Sequence, residues 1–316
     1  MSITDNDRMT IKVCELYYKD NLSQKEISYQ LGISRPQISR ILSSARAKNI
    51  VTIRIDNPYK DESNLEKALV KRYGLSDALV INTEGLSAAQ ALTEFGRQVS
   101  DQMDAYIPND SMIGVMSGRT IAQTAKALTK MDKKGLEFVP LIGGMGSSGF
   151  DWHANIIVKM FADKTNGKYN YLNAPVVVKN VESKVVLMKE PEIQNVLMKG
   201  TQCDVVILGI GQVGEKSASV VAGSLGIKEV NYLKKKGATA SVCATYLNER
   251  GEIIENDITN RSIGQTLEQI TKAKKIALAM GRSKTEAIRA VLEGRHLNVL
   301  ITNVETAKGI LGNYEY

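Results

Sequence analysis

The sequence predicts an α/β protein in two units: a small helical unit over residues 1–57 and a larger unit over residues 58–316 with a mostly parallel sheet. Three observations predict it. Short amphipathic segments with helix-capping residues crowd the first fifty positions. Beyond them, short apolar runs alternate with helical stretches, as strands buried on both faces of a parallel sheet require. Asn57-Pro58 punctuates the chain where one pattern gives way to the other.

The composition agrees. Of 316 residues, 43% are hydrophobic and 24% charged, which is a globular balance and excludes a disordered chain. No apolar run approaches the ~18 residues of a membrane span. The opening MSITDNDR lacks the apolar core of a signal peptide. The three cysteines (Cys14, Cys203, Cys243) form no CxxC pair and the histidines number only two, so a disulfide framework and a zinc centre are both unexpected. A reducing cytosol is the expected compartment.

In the first unit, Arg8 to Lys19 offers one apolar face through Ile11, Val13, Cys14 and Leu16. Ser23 starts a second helix, with Glu26 at the capping-box spacing, and Gly32 ends it. Ser34 starts a third, with Gln37 at the box position and Pro36 in the first turn, where a missing N–H costs nothing. Val51-Thr-Ile-Arg-Ile55 alternates with period two and predicts a strand, either a wing or a strand closing the bundle.

In the second unit, a charged helix buries Leu65 and Leu69 and turns Glu66, Lys67 and Lys71 outward. Strands are expected at 78–81, 112–116, 138–142, 175–178, 205–210, 242–247, 276–280 and 299–302. The helices expected between them include 88–105, 121–131, 154–164, 285–292 and 304–311.

Residues 24–42 fit a helix-turn-helix. Ile27 and Leu31 are apolar on its first helix, Gly32 lies at the turn, Ile33 plugs the gap, and Ile38, Ile41, Leu42 and Ala45 share a stripe on the second helix. Pro36, Gln37, Ser39, Arg40 and Ser43 project away from that stripe, a small, polar, cationic face suited to a major groove. From Asn21 to Ile55 six basic residues face one acid, although the whole chain carries only +7. A small bundle with a solvated face would not need these features together, and double-stranded DNA is the expected partner. Gln37 and Arg40 are the expected base readers. Arg35 and Arg46 flank them, with Ser23, Gln24 and Ser34 contacting DNA from the helix starts.

Four glycine-containing loops follow expected strands: 117–120, 143–149, 209–214 and 281–284. In open α/β sheets ligands collect at the carboxyl ends of strands. Gly118-Arg-Thr120 and Gly281-Arg-Ser-Lys284 each precede a helix and add a hydroxyl and a cation to backbone amides, a combination that favours a phosphorylated ligand over two plain turns. Gly209-Ile-Gly-Gln-Val-Gly214 also matches a dinucleotide fingerprint. That match is weak, because Glu215–Gly223 does not read as a long helix and the motif comes late in the unit.

Taken together, these segments resemble the SorC family of bacterial transcriptional regulators, which includes central glycolytic gene regulators and deoxyribonucleoside regulators. The resemblance spans nearly the whole chain. It is carried by LSQKEISYQLGISRPQISRIL (22–42), NLEKALVKRYGLSDALVI (64–81), IGVMSGRTI (113–121), FVPLIGGMG (138–146), YLNAPVVV (171–178), VVILGIG (205–211), RSIGQTLEQI (261–270), IALAMGRSKTEAI (276–288) and NVLITNVETAKGIL (298–311). It implies an effector domain similar to glucosamine-6-phosphate deaminase and ribose-5-phosphate isomerase, a phosphorylated-sugar effector, a homodimer or homotetramer on operator DNA, and no cofactor. Matched position by position, Gly118, Arg119 and Thr120 form the first phosphate loop, Gly143, Gly144 and Met145 the central loop, and Gly281, Arg282, Ser283 and Lys284 the closing loop. Gly209, Gly211, Ser241 and Asp257 complete the expected effector contacts.

The chain departs from that family in places. Ile142 stands where some members carry Lys or Arg, so no Schiff base or second phosphate clamp is expected there. Ser241 stands where an acid is common, and Arg119 replaces a smaller residue. A monophosphate is therefore favoured over a bisphosphate. The competing function is a sugar-phosphate isomerase or deaminase-like enzyme fused to a DNA-binding domain. Its general base would have to come from Asp151, His153 or Asp257. No catalytic residue is expected.

Overall fold

The structure, a computed structural model, describes residues 7–144 and 150–312. The chain forms two compact units, Met1–Pro58 and Tyr59–Tyr316. No helix among the described residues is long and apolar enough to cross a membrane.

The first unit is three helices, α1 (Asp7–Tyr18), α2 (Gln24–Leu31) and α3 (Arg35–Ala47). Val13, Cys14, Ile27, Ile33, Ile38, Ile41, Leu42 and Ala45 make its core. Ser23 accepts from the Glu26 N–H at 3.3 Å while Glu26 accepts from the Ser23 N–H at 2.8 Å, so two orphan donors of α2 are satisfied reciprocally. Gly32 takes φ +65° and lets the chain turn sharply into α3. Residues 51–55, expected as a strand, form none. A strand persists only where its N–H and C=O groups pair with a neighbour, and none lies beside this segment among the described residues. Val51 packs on the helical core, whereas Ile53 and Ile55 are exposed.

The second unit opens with α4 (Lys60–Tyr73), β1 (Asp77–Ile81), α5 (Ala88–Tyr106) and β2 (Met112–Val115). Then come α6 (Arg119–Ala127), β3 (Glu137–Pro140), α7 (Ala154–Thr165), β4 (Lys168–Tyr169), α8 (Val181–Leu187), α9 (Pro191–Thr201) and β5 (Val205–Leu208). A small module follows: β6 (Gly211–Gln212), α10 (Ala218–Val221), α11 (Ile227–Lys235), β7 (Ala240–Val242), β8 (Thr245–Leu247) and α12 (Asp257–Asn260). The chain then returns to the main sheet through β9 (Lys274–Leu278), α13 (Thr285–Glu293), β10 (Val299–Asn303) and α14 (Val304–Leu311).

The main sheet has the order β1-β10-β9-β5-β2-β3-β4. Its neighbouring strands all pair in parallel. Every residue of β5 and β10 is buried, which explains the apolar runs at 205–208 and 299–301. From the centre, β2 leads outward to β3 and β4, while β5 leads the other way to β9 and β10. The sheet therefore switches direction between β2 and β5, and a crevice opens at the carboxyl ends of those strands. Beside it stands the antiparallel sheet β6-β7-β8. Its module has its own apolar cluster around Leu225, Leu233, Tyr246 and Ile258.

Several elements depart from expectation. The single strand foreseen at 242–247 is a hairpin, β7 and β8, turning at Cys243 with φ +53°. Residues 175–178 contribute only isolated bridges, Pro175 to Gly144 and Val177 to Ser262. The helix expected at 121–131 begins earlier, at Arg119, and ends at Ala127. Glu66 does not face outward. It accepts from the Val80 N–H at 2.9 Å, and burial raises its pKa while that bond opposes the rise.

Candidate functional site

In the first unit the outward face of α3 presents Arg35, Pro36, Ser39, Arg40 and Arg46, all exposed. No carboxylate pairs with Arg35, Arg40 or Arg46 among the described residues, so these cations stand unneutralised in solvent. Gln37 differs from its expected role. Its Oε1 receives both the Ser34 N–H at 3.2 Å and the Ser34 hydroxyl at 2.9 Å. The same oxygen would have to accept from an adenine amino group in a bidentate contact. Ser23 and Ser34 are likewise engaged in caps, and Gln24 opens α2 half-buried. Arg40 is left as the long, uncommitted donor at the centre of this face.

In the second unit a cavity of about 240 Å³ occupies the crevice at the sheet's switch point. Residues 117–120 follow β2, Gly209 follows β5, and Ser283 and Lys284 come from the loop after β9. The Thr120 hydroxyl donates to the Leu278 carbonyl at 2.7 Å and so ties the first of these loops to the end of β9, across β5. A Cβ on Gly209 would stand 3.1 Å from the Ser117 carbonyl, so glycine permits this close passage of backbone.

The cavity's electrostatics are one-sided. Its charged lining residues are Arg119, Lys216 and Lys284; no carboxylate and no histidine lines it among the described residues. Burial, and secondarily the charge of Arg119, lower the pKa of Lys284. No carboxylate pairs with either cation among the described residues. Arg119 lies over the Trp152 ring, its Cζ 5.7 Å from the centroid. Gly118, the N-cap of α6, has no side chain to cap the helix. The first-turn amides of α6 therefore lack a side-chain partner there and add a partial positive charge. Lys284, withdrawn from water beside Arg119, keeps its charge at a cost that an anion would relieve.

Of the expected effector contacts, Gly118, Arg119, Thr120, Gly209, Gly211, Ser241, Ser283 and Lys284 line this cavity. The others are placed elsewhere or differently. Gly143 and Gly144 spend their amides on the Ile263 and Ala174 carbonyls at 3.0 and 2.8 Å, and a Cβ on Gly143 would lie 2.6 Å from the Ala174 oxygen. At Gly143 the glycine serves backbone packing. Met145 lies outside the described residues. Gly281, at φ +118°, gives its N–H to Thr306 Oγ1 at 2.8 Å. Arg282 turns to a separate groove with Glu305 and Lys308. Asp257 pairs with Arg261 at 3.0 Å and does not line the cavity. The other candidate bases are absent from the lining too: Asp151 pairs with Lys126 at 3.4 Å, and His153 is buried at the start of α7. Gly209–Gly214 opens into β6 of the small sheet, not into a long helix, so the dinucleotide reading fails.

Sequence reasoning missed one wall. Ser217, Ser219, Ser224 and Leu225 close the cavity from the small module. The run Ser217-Ala-Ser-Val-Val-Ala-Gly-Ser224 carries neither a charge pair nor a strong period that would have marked it.

Comparisons with known proteins agree on what this arrangement resembles. A sugar-binding domain family model matches residues 57–312. The chain is 29% identical to the deoxyribonucleoside regulator of Bacillus subtilis strain 168, over 98% of this chain and 99% of that protein. It is 26% identical to the sorbitol operon regulator of Klebsiella pneumoniae, over 98% of this chain and 100% of that protein. The crystal structure of the full-length sorbitol operon regulator from Klebsiella pneumoniae superposes with a TM-score of 0.76 at 26% identity, covering 97% of this chain and 99% of that one.

Proposed function

The chain belongs to the SorC family of sugar-binding transcriptional regulators and is not an enzyme, and from that premise we propose that it controls a carbohydrate-utilisation operon in response to a sugar monophosphate. Residues 1–57 bind operator DNA, and residues 58–316 bind the effector and hold the oligomer. The phosphate sits against Arg119, Ser283, Lys284 and the start of α6. One observation carries this reading: Arg119, Lys216 and Lys284 share a cavity that no carboxylate lines among the described residues. A dianionic phosphate relieves their repulsion and gains charge-assisted hydrogen bonds, roughly twice as strong as neutral ones. The cavity of about 240 Å³ suits a small sugar with one phosphate. Among the described residues, no carboxylate or histidine lines it to act as a general base for isomerisation.

The protein works in the cytoplasm as a homodimer or homotetramer, since one helix-turn-helix reads only a short half-site and two in register are needed for useful affinity. Fluorescence anisotropy with DNA upstream of its own operon, with and without sugar phosphates, tests the whole reading. Salt-sensitive binding that a sugar phosphate shifts and the unphosphorylated sugar does not is the expected result. Operator binding indifferent to every sugar phosphate would overturn it.

A further inference from the structure

The cavity has two chemically different walls. The loops after β2 and β9 bring charge, in Arg119 and Lys284. The small module brings hydroxyls, in Ser217, Ser219 and Ser224.

Ser224 is held in place by backbone chemistry. Past the end of α10 (Ala218–Val221), Gly223 takes φ +78°. The Gly223 N–H donates to the Val220 carbonyl at 2.9 Å, and the Ser224 N–H donates to the Ser219 carbonyl at 2.8 Å. These two bonds form the nested pair that closes a helix end through a left-handed residue. The next residue, Leu225, is buried in the module's apolar cluster with Leu233 and Tyr246. Ser224 is thus fixed between a closed helix end and an apolar anchor. Its Oγ is nevertheless buried with no hydrogen-bond partner among the described residues. Folding ordinarily avoids an orphaned hydroxyl, because it has lost water and gained nothing. Ser224 lines the ligand cavity, but its Oγ is closed to water in the empty protein, so a sugar reaches it only if the side chain turns toward the cavity.

We propose that Ser224 determines sugar specificity: its hydroxyl bonds a hydroxyl of the sugar whose phosphate lies on Arg119 and Lys284. This rests on the phosphorylated-effector reading above. The orphaned oxygen is satisfied only when the sugar is present, so the cavity tells a sugar phosphate from bare phosphate. It also tells one sugar from another, because a site built to bond a hydroxyl rejects an analogue that lacks it.

Calorimetric titration of the full chain with inorganic phosphate, ribose 5-phosphate, 2-deoxyribose 5-phosphate, fructose 6-phosphate, glucose 6-phosphate and sorbitol 6-phosphate tests this. Wild type should bind at least one sugar phosphate more tightly than inorganic phosphate. Ser224→Ala should weaken that sugar phosphate about tenfold, or ~1.4 kcal/mol, and leave inorganic phosphate unchanged. Lys284→Ala should weaken both. Apo Ser224→Ala should melt no lower than wild type, since an unpaired hydroxyl has been removed. If Ser224→Ala keeps the full preference for sugar phosphate over phosphate, or wild type has no such preference, the assignment of Ser224 is overturned while the phosphate site stands. If wild type binds neither phosphate nor any sugar phosphate, both readings fail together.

Discussion

The cations on α3 and Lys284 in the cavity carry the same charge in opposite surroundings. Arg40 and Arg46 stand exposed in water, where the solvent screens them and their neighbours matter little. Lys284 is largely out of water, faces Arg119, and has its pKa lowered as a result. The first arrangement costs almost nothing to keep and gives each contact a modest, salt-dependent return. The second is unfavourable in the empty protein, so an anion that fills it gains disproportionately. A surface that must meet a long polyanion can distribute its charge, whereas a pocket that must capture one small anion concentrates it.

The contrast breaks most visibly at Lys284. Lys284→Ala should lower affinity for the cognate sugar phosphate ten- to a hundredfold, from losing ~1.5–3 kcal/mol of charge-assisted bonding. Operator affinity without effector should not change. Calorimetry for the effector and anisotropy for DNA separate the two; unaltered effector affinity would place the phosphate against Arg119 alone.

On the exposed side, Arg40→Ala should weaken operator binding by ~1–2 kcal/mol and reduce the salt slope by about one ion. Effector affinity should stay as it was. Identical operator isotherms for mutant and wild type across a salt series would remove Arg40 from the interface.

Gln37 sharpens the comparison within α3. Because its carbonyl oxygen is engaged by Ser34, Gln37→Ala should act on stability more than on sequence preference. The expected loss is ~0.5–1 kcal/mol, read by chemical denaturation of the full chain, with base preference in a binding-site selection nearly unchanged. A changed preference at one base pair would show that the cap opens on DNA.

The smallest effect concerns the empty cavity. A lysine whose folded pKa lies below its unfolded value of about 10.5 makes the unfolded state the stronger proton binder. Stability of the apo protein should therefore rise with pH through that window. Lys284→Met should flatten the rise and leave the apo melting temperature equal or higher. A lower melting temperature for Lys284→Met would mean that the ammonium has an acceptor in the apo protein.

Much of this molecule was legible as a string of residues. Capping boxes at Ser23 and Ser34, the left-handed Gly32 and the stripe Ile38-Ile41-Leu42-Ala45 are local features, and α2 and α3 follow them closely. Strands β5 and β10 were equally plain, because a strand buried on both faces carries a continuous apolar run, here at 205–208 and 299–301. The resemblance pointed to Arg119 and Lys284, which the structure places in one cavity.

Tertiary structure decided what depends on neighbours. Residues 51–55 alternate like a strand, but no strand pairs with them among the described residues. Gly143 and Gly144 read as central-loop effector contacts, yet their amides are spent on the Ile263 and Ala174 carbonyls. Asp257 read as a sugar contact and is held by Arg261, which also bonds Glu229 at 2.7 Å. The serine wall at 217–224 was invisible because a hydroxyl announces nothing by its spacing. Sequence fixes a cap or a period within a few residues, since the interacting groups are covalently close. Which polar group ends up facing a cavity, and which is used up by another strand, is settled only when distant segments compete for the same hydrogen bonds.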